Sequence, residues 1–303
     1  MKVLLTGSSG TIGTRLCERL LAEGHQVFGG DLVKKDWRPE VRAVTRVMDM
    51  REANHFGIIP PENVEIVVHL AANARVYELV EEPRKALDNM TTLFNTLDWA
   101  REYKINKFIF ASSREGYGNI NADTFTEDMV RIENCESPYT ASKVGGEALV
   151  HAYTRCYGVD HVIFRFSNVY GMYDESKRVV PLFIRRARAN EPMTVFGKEK
   201  CLDFTYIDDT VDAILSAMKN FDAVKNDTYN LGYGQGTTLV QLAEDIKRLI
   251  GSTSEIKIGE SRTGEVIRYV ADISKARKKL GYDPKVPFSE GIKKAVEWYL
   301  KNT

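Results

Sequence analysis

One residue after the apolar run Val3-Leu4-Leu5 the chain reads Gly7-Ser8-Ser9-Gly10-Thr11-Ile12-Gly13, and beyond it Leu16, Leu20 and Leu21 recur on one face of an amphipathic stretch. Glycine lets a chain turn tightly and lets backbone N–H groups approach an anion closely. A helix opening at that turn adds a partial positive charge. A strand, a glycine turn and a helix in this order make the phosphate-holding corner of a parallel α/β sheet. The pattern GxxxxGK[ST] cannot be written over these residues, so a Walker-type phosphate loop is excluded.

The pattern continues beyond this corner. Residues 2–6, 26–30, 65–70 and 107–111 read as strands, and 12–23 and 84–103 as helices. Such alternation predicts right-handed βαβ units and a parallel sheet. Residues 139–157 read as a further helix and 161–166 as a buried strand. After Gly171 a polar loop interrupts the repeat, followed by helices near 180–190, 208–220 and 239–250, with a turn at Asn190-Glu191-Pro192. A last helix is expected from Ser289, as its N-cap, to Leu300. The expected fold is α/β, a Rossmann-type doubly wound parallel sheet over residues 1–170 with later segments crossing back. A smaller C-terminal domain over 171–303 is expected to bind substrate.

Lysine plus arginine and aspartate plus glutamate both number 42, so no net field draws the chain to nucleic acid or to an anionic membrane. No apolar run approaches the length of about 18 residues that a membrane span needs. Cys17, Cys135, Cys156 and Cys201 lack CxxC spacing, which argues against zinc and against paired disulfides. The chain opens on a strand with no signal-peptide pattern, and the expected compartment is the cytoplasm.

The second strand ends in Asp31. A carboxylate there accepts hydrogen bonds from both hydroxyls of an adenosine ribose and repels a 2′-phosphate, which favours NAD over NADP. Tyr139 and Lys143 lie one helical turn apart and share a face. A phenol with a reference pKa near 10 needs about 4 kcal/mol of differential stabilisation to ionise near neutrality, and a neighbouring ammonium would help supply it.

The glycine spacing, GxxGxxG, opens an ordered series: Asp49-Met50; His69-Leu70-Ala71-Ala72; Asn89; Tyr139 and Lys143; Arg165-Phe166-Ser167-Asn168-Val169-Tyr170-Gly171; Asp203-Phe204-Thr205-Tyr206; Tyr229-Asn230-Leu231-Gly232. The whole resembles the extended short-chain dehydrogenase/reductase family, and within it the nucleotide-sugar epimerases and dehydratases. This resemblance implies that Gly7, Gly10, Thr11, Ile12, Gly13, Asp31, Asp49, Met50, Leu70, Ala71, Ala72 and Asn89 hold NAD, together with Tyr139 and Lys143. It implies Ser113, Tyr139 and Lys143 as the catalytic set, and Ser113, Asn168 and Arg262 as contacts to the nucleotide sugar. It also implies a homodimer packed through the helices near 84–103 and 139–157.

Within that resemblance the stretch Ser113-Arg114-Glu115 departs from the dehydratases, which place an aspartic acid where Arg114 stands. Arginine cannot donate a proton at neutral pH. The expected reaction is 4-epimerisation of a UDP-glucose/UDP-galactose type substrate: Tyr139 deprotonates a sugar hydroxyl as hydride leaves the same carbon, and the 4-keto sugar takes the hydride back on its other face. The alternatives are a decarboxylase or dehydratase using Glu115 as base at C5, and a dinucleotide-binding sensor without turnover. Glu115 reads as a partner of Arg114 or of a backbone group, as that base, or as a reader of substrate hydroxyls. Leu202 stands where the family often has a second arginine, with Lys198 or Lys200 as substitutes. Tyr269 resembles a position that sets pocket size.

Overall fold

Where short apolar runs alternate with amphipathic stretches, the computed structural model, which describes residues 1–303, places strands and helices in succession. The first half runs β1 (Lys2–Thr6), α1 (Thr11–Ala22), β2 (Gln26–Asp31), α2 (Pro39–Val44), β3 (Thr45–Val47), β4 (Ile66–His69), α3 (Val76–Glu81), α4 (Arg84–Glu102), β5 (Lys107–Ser113), α5 (Pro138–Tyr157) and β6 (Asp160–Phe166). The second adds β7 (Asn168–Tyr170), α6 (Val179–Arg188), β8 (Met193–Phe196), β9 (Cys201–Tyr206), α7 (Ile207–Lys219), α8 (Phe221–Val224) and β10 (Asp227–Leu231). It closes with β11 (Gly236–Thr238), α9 (Leu239–Ile250), β12 (Ile256–Gly259), β13 (Arg268–Tyr269), α10 (Ser274–Leu280) and α11 (Phe288–Asn302).

Seven strands form one parallel sheet in the order β10-β6-β5-β4-β1-β2-β3. Both faces are covered, which is why its strands are apolar at successive positions. Val3, Leu5, Ile66, Val68, Ile109 and Val162 pack on one face, and Leu4, Val67, Phe108, Phe110 and Ile163 on the other. Strand order reverses at β1, which lies between β2 and β4. Such a reversal opens a crevice beyond the strand ends, where open α/β sheets bind ligands.

The helix ends follow local chemistry. Ser137 caps α5 by accepting a hydrogen bond from the Thr140 N–H, Pro138 sits in its first turn, and Gly158 ends it at φ 70°. The last helix departs from expectation: α11 begins at Phe288 with Pro287 as N-cap, and Ser289 lies inside its first turn. The Pro287 carbonyl accepts from the Glu290 and Gly291 N–H groups, at 3.0 and 2.9 Å, so the first turn closes on Pro287.

Beyond Gly171 the chain builds a sheet β11-β9-β13, with β7 also paired to β9, and a two-stranded β12-β8 ribbon. Two elements of this half return to the large sheet. Strand β10 pairs with β6 along Asp227–Leu231, and α7 is tied to α1 by ion pairs Arg15–Asp208 at 2.6 Å and Arg19–Asp212 at 2.9 Å.

Candidate active site

The glycine turn is built too tightly for side chains. Gly7 has φ +72°, and a Cβ on it would stand 2.8 Å from the Ala71 backbone nitrogen; a Cβ on Gly13 would stand 1.9 Å from the Gly7 carbonyl oxygen. The first turn of α1 therefore lies directly against the end of β1. The N–H groups of Thr11, Ile12 and Gly13, the first three of the helix, have no partner inside it, and all three residues border the crevice. Asp31, at the end of β2, accepts hydrogen bonds from the Ser9 N–H at 2.9 Å and the Val33 N–H at 3.3 Å. Burial pushes its carboxyl up, and these backbone donors pull it back. A bare cradle of N–H groups with a carboxylate one strand away fits a dinucleotide, whose phosphates would meet α1 and whose ribose would meet Asp31.

Ser113 ends β5, and Tyr139 and Lys143 face it from α5, all three buried. The Tyr139 phenol is pushed up by burial, with hydrogen bonding to Ser113 as the largest opposing cause. The ammonium expected to lower that phenol is engaged elsewhere. Lys143 Nζ donates to the Ala111 carbonyl at 2.7 Å and stands 5.9 Å from the centroid of the Tyr139 ring. Burial takes Lys143 itself down to about 8. Neighbouring His69 is also buried, held by Thr6 Oγ1 at 3.0 Å, and is pushed down to about 3, so it is neutral and no competing acid.

One cavity of about 600 Å³ joins the glycine turn to these side chains. Gly7, Gly10, Thr11, Ile12, Gly13, Leu70, Ala72, Ser113, Tyr139, Lys143, Asn168 and Arg262 all line it; Asp31, Asp49, Met50, Ala71 and Asn89 do not. Asp49 spends its carboxylate on Arg51, at 2.6 Å, which holds it below the usual range. Met50 is core. Asn89 is a brace for the loop after β4: its Oδ1 accepts from the Asn73 N–H at 2.7 Å, and its Nδ2 donates to the Asn73 carbonyl at 3.1 Å and to Ser142 Oγ at 3.3 Å.

At the far end of the cavity the Arg262 guanidinium lies over the Phe196 ring, 3.9 Å from its centroid, and 4.9 Å from that of Tyr77. Leu202 lines the same end. Of the two lysines nearby, Lys198 is exposed, whereas Lys200 is buried, lines the cavity and pairs with Glu265. Tyr269 does not itself line this pocket. It is fully buried between Tyr117 and Phe125, with Arg114 lying 5.8 Å over its ring. Arg114 and Glu115 instead form that wall, joined by an ion pair at 2.7 Å.

Residues 3–232 match the model of the NAD dependent epimerase/dehydratase family. The chain belongs to this family. A UDP-glucose 4-epimerase from Thermotoga maritima, solved with UDP-glucose, superposes with a TM-score of 0.90 at 32% identity over 99% of both chains. A UDP-glucose 4-epimerase from Thermus thermophilus, solved with NAD, gives 0.91 at 29% identity over 100% of both. A UDP-glucuronate 4-epimerase of Thermodesulfobacterium geofontis is 30% identical over 99% of this chain and 96% of its own length. Family membership makes the protein an NAD-dependent enzyme.

In this epimerase/dehydratase family member the end of β5 at Ser113 is braced by a buried polar network. Glu147, one turn beyond Lys143, accepts from Ser112 Oγ and takes both Nε and Nη2 of Arg165, at 2.9 and 2.7 Å. Arg165 Nη1 donates to the Tyr117 hydroxyl at 3.1 Å, and that hydroxyl donates to Asn230 Oδ1 at 2.5 Å. The network ties β5, α5, β6 and β10 together. Sequence reading missed Phe196 and Tyr77 at the Arg262 end, because single aromatic residues carry no periodic signal.

Proposed function

We propose that the protein is a 4-epimerase of UDP-hexoses, with UDP-glucose and UDP-galactose as the leading pair. The observation that carries this reading is the composition of the wall beside Ser113. A dehydratase needs an acid there, and this chain offers a guanidinium. Glu115, the next residue, is ion-paired with Arg114 at 2.7 Å. Relatives named 4-epimerases support the same reading.

When bound, NAD supplies a hydride acceptor and donor. The protein's own part is to move one proton and hold the sugar. Tyr139 takes the proton of the C4 hydroxyl, with Ser113 sharing that hydrogen bond, and gives it back on the return step. Because burial raises the Tyr139 phenol, it acts as base only as the proton leaves the substrate oxygen, not as a standing phenolate. Lys143 holds its cationic head at the strand end through the Ala111 carbonyl. Asn168 and Arg262 grip the nucleotide sugar, Arg262 through a planar fork suited to a diphosphate. A homodimer through α4 and α5 completes the reading, supported by Leu87, Phe94 and Tyr157, which these helices leave exposed. A monomeric mass in solution would refute it.

The test is proton NMR of the purified protein in D2O with UDP-glucose, UDP-galactose and UDP-glucuronate in turn. Inversion at C4 without deuterium in the ring is expected. Deuterium at C5, or loss of water or carbon dioxide, would overturn the proposal and make Glu115 a catalytic base.

A further inference from the structure

The wall of the cavity beside Ser113 is made of two opposite charges that are only half satisfied. Arg114 and Glu115 are 7% and 4% exposed. Arg114 Nη2 contacts Glu115 Oε1 and also donates to Asn168 Oδ1, at 3.3 Å. Arg114 Nη1 and Glu115 Oε2 are buried and have no hydrogen-bond partner. Polar atoms this deeply buried are nearly always paired, because leaving one unpaired is costly. An orphaned donor beside an orphaned acceptor, both on cavity-lining residues, points to a ligand group that accepts from one and donates to the other.

Charge narrows the ligand further. The next ionic groups on this wall are Lys200 and Glu265, which pair with each other. These two cations and two anions cancel one another; the cavity's remaining cations include Lys177 and Arg178, from the loop before α6, and Arg262 at the far end. A hydroxyl can accept from Nη1 and donate to Oε2. A carboxylate can only accept, and it would bring its charge against the free oxygen of Glu115. The pair follows Ser113 directly in the chain, so it meets the sugar rather than the nucleotide.

We propose that Arg114 and Glu115 together read the sugar, taking a neutral polyhydroxylated hexose through one donated and one accepted hydrogen bond and rejecting a hexuronic acid. This rests on the nucleotide-sugar epimerase reading above, and it makes the two residues determinants of specificity.

The test uses the holoenzyme and follows both epimerisation and calorimetric binding of UDP-glucose and UDP-glucuronate. The native protein should favour UDP-glucose in Kd and in kcat/KM by about tenfold to a hundredfold. Glu115→Gln keeps an acceptor but removes the negative charge, so that preference should collapse by about tenfold or more. The double variant Arg114→Met with Glu115→Met keeps the wall neutral and removes both reading atoms. It should lose about tenfold to a hundredfold in UDP-glucose affinity while still binding UDP. If Glu115→Gln fails to fold, as a melting curve would reveal, the double variant decides, because replacing both members of a buried pair is tolerated better than removing one.

A native preference for UDP-glucuronate, an unchanged ratio in Glu115→Gln, or full UDP-glucose affinity in the double variant would overturn the proposal. Selective binding without turnover of either sugar would instead sink the epimerase reading and leave this one standing. Turnover with equal binding of both sugars would sink this one alone.

Discussion

Lys143 carries its charge where an ammonium is costly, and replacing it with methionine should stabilise the nucleotide-free fold. The side chain is 5% exposed, and burial lowers its pKa from 10.5 to about 8, with Glu147 only partly opposing. A drop of that size corresponds to a destabilisation of about 3 kcal/mol whenever the group is protonated in both the folded and the unfolded chain. The cost is fully present below about pH 8. It fades as pH rises toward 10.5, because across that window only the unfolded chain keeps the proton. Methionine matches the length of the lysine stem, and the Ala111 carbonyl then loses its ammonium partner, at a cost of about 1 kcal/mol. The net expectation for Lys143→Met is a gain of about 2 kcal/mol at pH 7 that disappears near pH 10. Urea unfolding of both proteins, stripped of nucleotide, at the two pH values measures it. Equal or lower stability of the variant at pH 7, or a difference that does not shrink with pH, would refute the reasoning.

Gly13→Ala should abolish retention of NAD, because its Cβ would fall 1.9 Å from the Gly7 carbonyl oxygen; the nucleotide content of the purified protein reports this directly. Arg165→Leu leaves the Glu147 carboxylate buried without its partner and should cost about 3–5 kcal/mol in urea unfolding, more than the double change with Glu147→Leu. Asn89→Ala removes three hydrogen bonds that hold Asn73 and Ser142, and about 2–3 kcal/mol should be lost. Asp31→Ala should narrow the preference for NAD over NADP, read as the ratio of their dissociation constants.

What could be read in the chain before its structure was what depends on neighbours in sequence. The glycine turn, the alternation of strands and helices, and the shared face of Tyr139 and Lys143 are properties of short windows, and each occupies its expected element. Features set by distant contacts were not legible. Tyr269 follows Arg262 closely in sequence, but β13 pairs with β9 and places Tyr269 opposite Leu202, with its ring in the core under Arg114. The partner of Lys143 is a carbonyl on β5, which no spacing within α5 reveals. The same holds for Lys200, whose burial against Glu265 arises only when the loop after β12 folds onto the start of β9.

The outermost strand of the large sheet, β10, is drawn from residues 227–231. A ribosome must therefore deliver most of the chain before β6 gains its last neighbour. Until then a nascent polypeptide holding only the cofactor cradle exposes a row of unpaired backbone groups along β6, a template for association with other chains. Cutting the gene after Gly171 would strand the cradle in that state. The two halves thus complete one sheet, and any exchanged second half would have to bring its own strand for β6.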